Sequence, residues 1–283
     1  MRIARRTFLT AGASLALVPR WARAGVGTVL FFNGSFEQGA LVIGGTLPGA
    51  KAKVDGALVH VSPEGAFAFG IPYDRVRPVH VVAEFADGSS ETRDIVPLIR
   101  QYQAQRIEGL PPKFVTPSPE DLERIKRESA LIREARTRDT DGIGFAEPFD
   151  WPFPGIVTGV YGSQRIENGT PMAPHLGVDI AAPEGTPIRA PADAVVSISD
   201  DYLIDGGFTL LDHGHGVSTC YLHQSKRLVK AGDKVARGDV IGLVGKTGRA
   251  TGPHTHWGLC WFQLKLDPSR STRSPESPKR PLE

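Results

Sequence analysis

Three short segments of the sequence hold side chains of the types that bind metal ions. His175 and Asp179 lie four residues apart, His254 and His256 lie two apart, and His223 ends another apolar run. Side chains on an extended strand alternate between its two faces, so each of these spacings places both members of a pair on one face. If the two strands that carry the pairs are neighbours in a sheet, their side chains can converge on a single point.

The chemistry that such a cluster supports is metal-assisted hydrolysis. A catalytic zinc ion takes three nitrogen or oxygen ligands and keeps one position open for water. Several sets of three can be drawn from the five residues, and spacing alone does not select among them. The helical motif His-Glu-x-x-His does not occur in the sequence, so no helical glutamate is offered as a base. We therefore expect a histidine, with an ordinary pKa of about 6.5, to act as the base.

The other four of the eight histidines are interpreted as structural. His60 and His80 are isolated within predicted strands. His213 and His215 belong to an Asp-His-Gly-His-Gly segment, in which the glycines favour a hairpin turn over a metal cluster.

A β-rich domain over residues 151–267 must position the five candidate residues. Glycine and proline separate short apolar runs throughout this region, which is typical of strands joined by tight turns. The predicted strands are 155–161, 178–181, 194–198, 208–212, 217–223, 240–244 and 254–262. Residues 268–283 have no apolar periodicity and are predicted to form a disordered tail.

A second β-rich region covers residues 25–100. Turn signals such as Asp55-Gly56 and Asp87-Gly88 separate apolar runs there and predict a small, immunoglobulin-like β-sandwich without chemistry of its own. The predicted strands are 28–32, 40–46, 57–60, 66–71, 79–85 and 91–96.

Residues 101–150 are predicted to connect the two β-rich regions and to contain one helix, over 118–136. Ser118 is a favourable N-cap, and Pro119 suits the first turn of a helix. The expected fold is therefore mainly β, with a sandwich, a linker helix and a second β domain.

The first 24 residues have the pattern of an export signal. Arg5 and Arg6 precede Thr-Phe-Leu in a twin-arginine pattern, and Ala22-Arg23-Ala24 offers small residues for cleavage. The apolar run between them has about 12 residues, whereas a bilayer core requires about 20. We expect an exported, soluble protein with no membrane span in its mature form.

The charge balance excludes a typical nucleic-acid binder. The chain has 33 basic and 31 acidic residues, a net charge of +2. Loss of residues 1–24 removes five arginines and no acidic residue, which leaves a net charge of −3. A domain that binds nucleic acid through its phosphates is usually strongly basic.

The two cysteines are too few for a disulfide scaffold or a four-thiolate zinc site. On regular strands Cys220 faces away from His223, whereas Cys260 faces the same side as His256. Opposite faces are not easily bridged, so we expect free or buried thiols, with a β-bulge as the exception.

Residues 151–266 resemble the LytM/lysostaphin-type zinc endopeptidases, which cut peptide cross-links in bacterial cell walls. The resemblance rests on His-x-x-x-Asp, a Tyr-x-His strand, and His-x-His followed by an aromatic residue, Gly and Leu, in that family's order. It also includes Gly-Val-Asp-Ile-Ala-Ala-Pro-Glu-Gly-Thr-Pro and Lys-x-Gly-Asp-x-Val. Residues 25–136 are similar, less distinctively, to the region before this domain in some exported proteobacterial members.

The resemblance implies a role for each of the five candidate residues. His175, Asp179 and His256 would hold one zinc ion per chain. His223 and His254 would be catalytic histidines, of which one activates water and the other stabilises the transition state.

The resemblance also implies peptidoglycan as the substrate. A twin-arginine signal without cell-wall-binding repeats indicates the periplasm of a Gram-negative cell, and hence bonds between D-alanine and diaminopimelate. The alternative is a catalytically silent LytM-type wall-binding module that activates a partner amidase, although all five site residues are retained. Since the family often blocks its groove with N-terminal segments, residues 25–150 are predicted to restrain activity. No protein partner can be named from the sequence.

Overall fold

The protein is described here by a computed structural model that covers residues 29–107, 117–167 and 169–274. The predicted signal peptide, residues 1–24, lies outside the described residues. No helix in the described part of the chain is long and apolar enough to cross a membrane.

Twenty-one short strands and one α-helix make up about half of the described chain. The strands are β1 Phe31–Asn33, β2 Leu41–Gly45, β3 Lys51–Val54, β4 Ala57–Val59, β5 Ala66–Gly70, β6 Val79–Glu84, β7 Ser90–Ile95, β8 Ala104–Ile107, β9 Ile156–Gly159, β10 Gln164–Glu167, β11 Thr170–Pro171, β12 Val178–Ala181, β13 Pro187–Arg189, β14 Ala194–Tyr202, β15 Gly206–Gly214, β16 Val217–Gln224, β17 Lys226–Arg227, β18 Lys234–Val235, β19 Val240–Leu243, β20 His254–Trp261 and β21 Leu264–Leu266. The α-helix is α1 Pro119–Ala135, and 3-10 helices occur at Gly144–Ala146 and Pro268–Ser271. The predicted mainly β fold is confirmed.

The N-terminal strands form two sheets, with the orders β1-β2-β5 and β4-β3-β6-β7. The alternation in β6 shows why these residues form a sandwich: Val79, Val81 and Ala83 are buried, whereas His80 between them is exposed. Phe67 of β5 belongs to the same core cluster. Strand β3 was not predicted, because two of its four residues are lysines, which interrupt the apolar pattern.

An eight-stranded sheet forms the framework of the second domain. Its order is β18-β14-β15-β16-β20-β12-β9, with β21 paired to β20, and its pairs are antiparallel. Strand β20, which carries two of the candidate histidines, lies between β16 and β12. The strands predicted to carry the candidate residues are therefore neighbours.

The connector contains a strand that was not predicted. Strand β8 pairs in parallel with β10, so that Gln105 lies opposite Arg165.

The connector also contains the predicted helix, α1. The Ser118 hydroxyl accepts a hydrogen bond from the Asp121 backbone N–H at 3.1 Å and caps this helix. Ile132 of α1 packs in a cluster with strands of the second domain.

The predicted placement of the cysteines on opposite faces is wrong, although both thiols are free and buried as expected. Cys220 lies opposite Gly258, so it shares a face with Cys260, two residues further along β20. Such diagonal neighbours are about 7–8 Å apart, too far for a disulfide. His223 has a left-handed backbone, with φ of 65°, which interrupts the regular alternation of side chains along β16 on which the predicted placement depends.

The disordered tail was predicted to begin at residue 268, but the structure holds the chain in place as far as Ser274. Asp267 caps the 3-10 helix Pro268–Ser271, Thr272 pairs with Phe149, and the Trp151 indole donates to the Ser274 carbonyl at 2.8 Å. These contacts order the chain as far as Ser274 without any apolar periodicity. Residues 275–283 lie outside the described residues.

The sandwich and the second domain share one hydrophobic core. Leu41, Ala66 and Ala68 belong to the same buried cluster as the central residues of the large sheet. At Gly70 the two parts approach so closely that a Cβ would lie within 3.0 Å of the side chains of Leu264 and Leu266.

Candidate metal centre

The pairing of β12 with β20 places Asp179 directly opposite His256. His175 precedes β12 by three residues, and its backbone N–H donates to the Ser163 carbonyl at 2.8 Å. Gly177 makes room for the cluster, since a Cβ there would lie 2.4 Å from the His256 ring. Strand register and one glycine thus bring together residues that are up to 81 positions apart.

Three potential ligand atoms form a small triangle. The His175 Nε2 atom is 2.9 Å from His256 Nδ1 and 3.1 Å from Asp179 Oδ1, and the latter two atoms are 3.0 Å apart. Among the described residues, these three form the group of histidine and acidic side chains able to hold a metal ion.

The triangle fits a tetrahedral zinc ion. Bonds of about 2.0–2.1 Å from zinc to nitrogen and oxygen place neighbouring ligand atoms about 3.3 Å apart. The observed separations are only a few tenths of an ångström shorter, so slight expansion accommodates the ion. Two imidazoles and one carboxylate also match the donor set of a catalytic zinc site, which leaves a fourth position open.

Hydrogen bonds and burial place these residues in the protonation states of metal ligands. The His175 Nδ1–H donates to the Val160 carbonyl at 3.2 Å, which leaves the lone pair on Nε2. Burial would raise the pKa of the Asp179 carboxyl, but its close contacts with His175 and His256 hold that pKa well below its ordinary value. Burial lowers the pKa of His256 to about 4. The carboxylate is therefore ionised and His256 neutral near pH 7.

His223 and His254 form a second pair beside the triangle. Their ring centroids are 4.7 Å apart. Each Nδ1–H donates to a backbone carbonyl at 2.8 Å, that of Thr247 for His223 and that of Gly252 for His254. Each Nε2 atom then carries a lone pair and can accept a proton.

All five predicted residues line one cavity of about 490 Å³. The cavity also contains cationic side chains that the sequence analysis did not identify, namely Arg165, Arg249 and Lys265, together with the carboxylate of Asp205. Burial is the main cause that raises the pKa of Asp205. Positive charge therefore exceeds negative charge outside the triangle, which favours a ligand with carboxylates.

Arg165 is the functional candidate that sequence reasoning missed. Its Nη2 atom forms an ion pair with Asp179 Oδ2. Gln164–Glu167 is a polar run with no distinctive spacing to the other site residues, so only the fold reveals this contact.

His213 and His215 lie outside the site, at the hairpin end, as predicted. His213 is hydrogen-bonded to the Asp193 carbonyl and to Thr219.

Comparison with known proteins agrees with the geometry. Peptidase family M23 matches residues 173–268, which include all five predicted site residues. A crystal structure of an M23 peptidase from Pseudomonas aeruginosa is 30% identical, covers 82% of this chain and 93% of that chain, and has a TM-score of 0.63. The chain belongs to peptidase family M23. This family membership confirms the resemblance, and it implies a metal-dependent peptidase.

Curated relatives match about a third of this chain. Peptidoglycan DD-endopeptidase ShyA of Vibrio cholerae is 49% identical over 88 residues, which are 31% of this chain and 20% of the relative. DD-carboxypeptidase/endopeptidase Mpg of Neisseria meningitidis is 46% identical over 83 residues, 29% of this chain and 19% of the relative. The aligned part is thus about a fifth of each relative's length.

Proposed function

We propose that this M23 protein is a zinc-dependent endopeptidase that hydrolyses peptide cross-links of peptidoglycan in the periplasm, at bonds between D-alanine and diaminopimelate. The observation that carries the proposal is the triangle of His175, Asp179 and His256 beside two histidines with proton-accepting Nε2 atoms. The names of the relatives, DD-endopeptidases of peptidoglycan, support the substrate.

His175, Asp179 and His256 would hold the zinc ion. When bound, zinc would polarise the scissile carbonyl and lower the pKa of a water molecule. The protein's own contribution is to accept the proton of the attacking water at a histidine Nε2 and to return it to the leaving amine.

His254 is the better placed of the two histidines for this proton transfer. It is half-buried, whereas His223 is 6% exposed. Burial, followed by the neighbouring His254 and His256, lowers the pKa of His223 to about 3. A neutral His223 is then suited to orient the substrate, while His254 can be solvated when it becomes charged.

The cationic residues of the cavity suit the substrate. Peptidoglycan stem peptides carry free carboxylates, and Arg249 and Lys265 line the cavity that would receive them. Because the net charge of the predicted mature chain is slightly negative, recognition depends on these local charges rather than on bulk attraction.

Digestion of purified sacculi tests the proposal. The mature protein is incubated with sacculi, and the released muropeptides are identified by mass spectrometry, with His254→Ala as the matched control. Cleavage between D-alanine and diaminopimelate by the wild-type protein alone is the expected result. If neither protein releases fragments, but both increase digestion by an added amidase, the amidase-activator alternative is correct.

The site of action has its own test. Residues 1–24 fused to a reporter that reaches the periplasm only through the twin-arginine route should export it, and Arg5→Lys combined with Arg6→Lys should abolish export. Export that persists in the double variant contradicts a twin-arginine signal.

A further inference from the structure

Arg165 contacts the oxygen of Asp179 that does not face the histidines. Its Nη2 atom pairs with Asp179 Oδ2, whereas Oδ1 lies 3.0–3.1 Å from His256 and His175. Both side chains are largely buried, with 16% of Arg165 and 10% of Asp179 exposed. The carboxylate is thus divided, with one oxygen for the arginine and one for the ligand triangle.

This division determines how Asp179 can bind a metal ion. A free carboxylate can rotate or offer both oxygens to one ion, and bidentate binding would occupy an additional coordination position. A charge-assisted hydrogen bond to Oδ2 fixes the carboxylate plane and leaves Oδ1 as the single donor. Polar partners that orient a ligand in this way commonly change metal affinity about 10–100-fold.

The neighbouring strand is shaped to admit Arg165. Gly159 of β9 lies opposite Asp179, and a Cβ at Gly159 would be 2.4 Å from Asp179 Oδ2 and 3.1 Å from the Arg165 Nη2 atom. Any larger side chain at this position would separate the pair. The glycine therefore opens the space in which arginine and carboxylate meet.

The connector holds the strand that carries Arg165. Strand β10 pairs with β8 of the connector in parallel, and the Gln164 backbone N–H donates to the Gln103 carbonyl at 2.9 Å. On its other side β10 pairs, among the described strands, with the two-residue strand β11 alone. The position of Arg165 thus depends on residues that precede the domain matched to family M23.

We propose that Arg165 is a positioning residue that holds Asp179 in a one-oxygen binding mode, and that β8 of the connector keeps Arg165 in place. The inference rests on the proposed function, because it takes His175, Asp179 and His256 as the metal ligands. It gives the N-terminal region a second task besides the predicted restraint of activity, that of completing the metal site.

Zinc affinity, measured by competition with a chromophoric chelator and without substrate, tests the inference in the mature protein. Arg165→Met should bind zinc about 10–100-fold more weakly than the wild type. Arg165→Lys should lie between them, since an ammonium group keeps the charge but not the planar fork of donors. Arg227→Met is the matched control, because it removes another arginine–aspartate pair, with Asp201, and should leave the affinity unchanged.

The connector is tested by Gln105→Pro, because proline has no backbone N–H with which to form a hydrogen bond to the neighbouring strand. This variant should weaken zinc binding as Arg165→Met does, while thermal unfolding of the metal-free protein shows that each variant is folded. Unchanged affinity in Gln105→Pro overturns the role of β8.

Equal or tighter binding by Arg165→Met overturns the role of Arg165, and tighter binding would identify it as a competitor of the metal. If the wild type binds zinc and the variants bind it equally well, the role of Arg165 is contradicted but the proposed function is not. Absence of zinc binding by the wild type defeats the proposed function as well.

Discussion

His223 has the most unusual backbone among the candidate residues. Its φ of 65° lies in the left-handed region, which residues other than glycine rarely adopt. Its N–H donates to the Asp205 carbonyl at 2.8 Å, which stabilises the conformation. Leu222 and His223 consequently both line the cavity, although consecutive residues of a regular strand face opposite sides. A local departure from strand geometry thus brings His223 to the site.

Substitution of individual histidines should separate metal binding from proton transfer. His254→Ala should lower kcat by about 10²–10⁴-fold, the usual contribution of a general base, and retain one zinc ion per chain. His256→Ala should lose both activity and zinc, because it removes a ligand. Zinc content by atomic absorption and muropeptide release measure the two effects. Loss of zinc from His254→Ala would instead make His254 a ligand.

Residue spacing was enough to find the candidates but not their arrangement. The two strand pairs converge as the period of two predicts, since Asp179 and His256 lie opposite each other. Arg165 could not be found in this way, because its contact depends on a parallel pairing of β10 with a distant connector. Sequence periodicity describes one strand at a time, whereas such contacts depend on which strands become neighbours.

Among the elements, β15 buries a histidine that does not line the cavity of the proposed site. His213 is 1% exposed, its Nδ1 lies 3.0 Å from the Asp193 carbonyl, and its Nε2 lies 2.8 Å from the Thr219 hydroxyl. Burial lowers the pKa of His213 to about 4. Between this value and the unfolded value of about 6.5, the unfolded chain binds a proton that the folded protein excludes.

The stability of the protein should therefore fall as the pH drops from about 6.5 to about 4. His213 accounts for about 2 kcal/mol of this loss at pH 5, while near pH 7.5 it contributes almost none. Urea unfolding of the metal-free protein at the two pH values measures the loss, which should be about 2 kcal/mol smaller in His213→Gln. His80→Gln, on the exposed face of β6, is the control. If the free energy of unfolding falls by the same amount between pH 7.5 and pH 5 in His213→Gln and in the wild type, this explanation is contradicted.

Every described strand of five or more residues overlaps a predicted run, whereas the two-residue strands were not predicted and those of three or four residues were predicted in part. Runs such as Val178–Ala181 and His254–Trp261 combine buried apolar residues with glycine or proline at their ends. Lys226–Arg227 and Lys234–Val235 have only two residues each, and their pairing partners alone define them as strands. Long-range pairing, rather than local preference, decides elements of this size.

In the whole molecule, a pair of histidines joins the sandwich to the second domain. The His60 and His215 rings are stacked, with centroids 3.9 Å apart and planes inclined by 7°. His60 Nδ1 lies 2.8 Å from Asp139 of the connector, and His215 Nδ1 lies 3.1 Å from the His60 carbonyl. Sandwich, connector and peptidase domain therefore meet at one point.

Removal of this contact should loosen the interface between the domains. His60→Ala removes the stacked ring and the hydrogen bond to Asp139, and should lower the free energy of unfolding by about 1–2 kcal/mol. His80→Ala is the matched control: it removes a comparable histidine–aspartate contact, 2.7 Å to Asp94, that is exposed and lies within one sheet. Its effect should stay within about 0.5 kcal/mol. Equal effects in urea unfolding would show that the interface gains nothing from the His60 ring.

The shared core predicts what happens when the sandwich and connector are removed. A chain that begins at Phe149 would expose Leu266, which is 0% exposed in the full structure, and would lose the contributions of Leu41, Ala66 and Ala68 to the common core. Burial of one leucine side chain contributes about 1.5–3 kcal/mol. The exposure of Leu266 and the loss of Leu41 from the core therefore cost about 3–6 kcal/mol together. For a domain of this size, that loss should lower the melting temperature by about 10 °C or more.

The predicted restraint of activity has to be measured against this loss of stability. Sacculus digestion by the truncated chain should therefore be normalised to the folded fraction at each temperature, and a faster normalised rate would support restraint by residues 25–150. An unchanged melting temperature would contradict the shared core. In that case the sandwich would be an independent module, and a difference in digestion rate measured at saturating zinc could be assigned to the sandwich and the connector together.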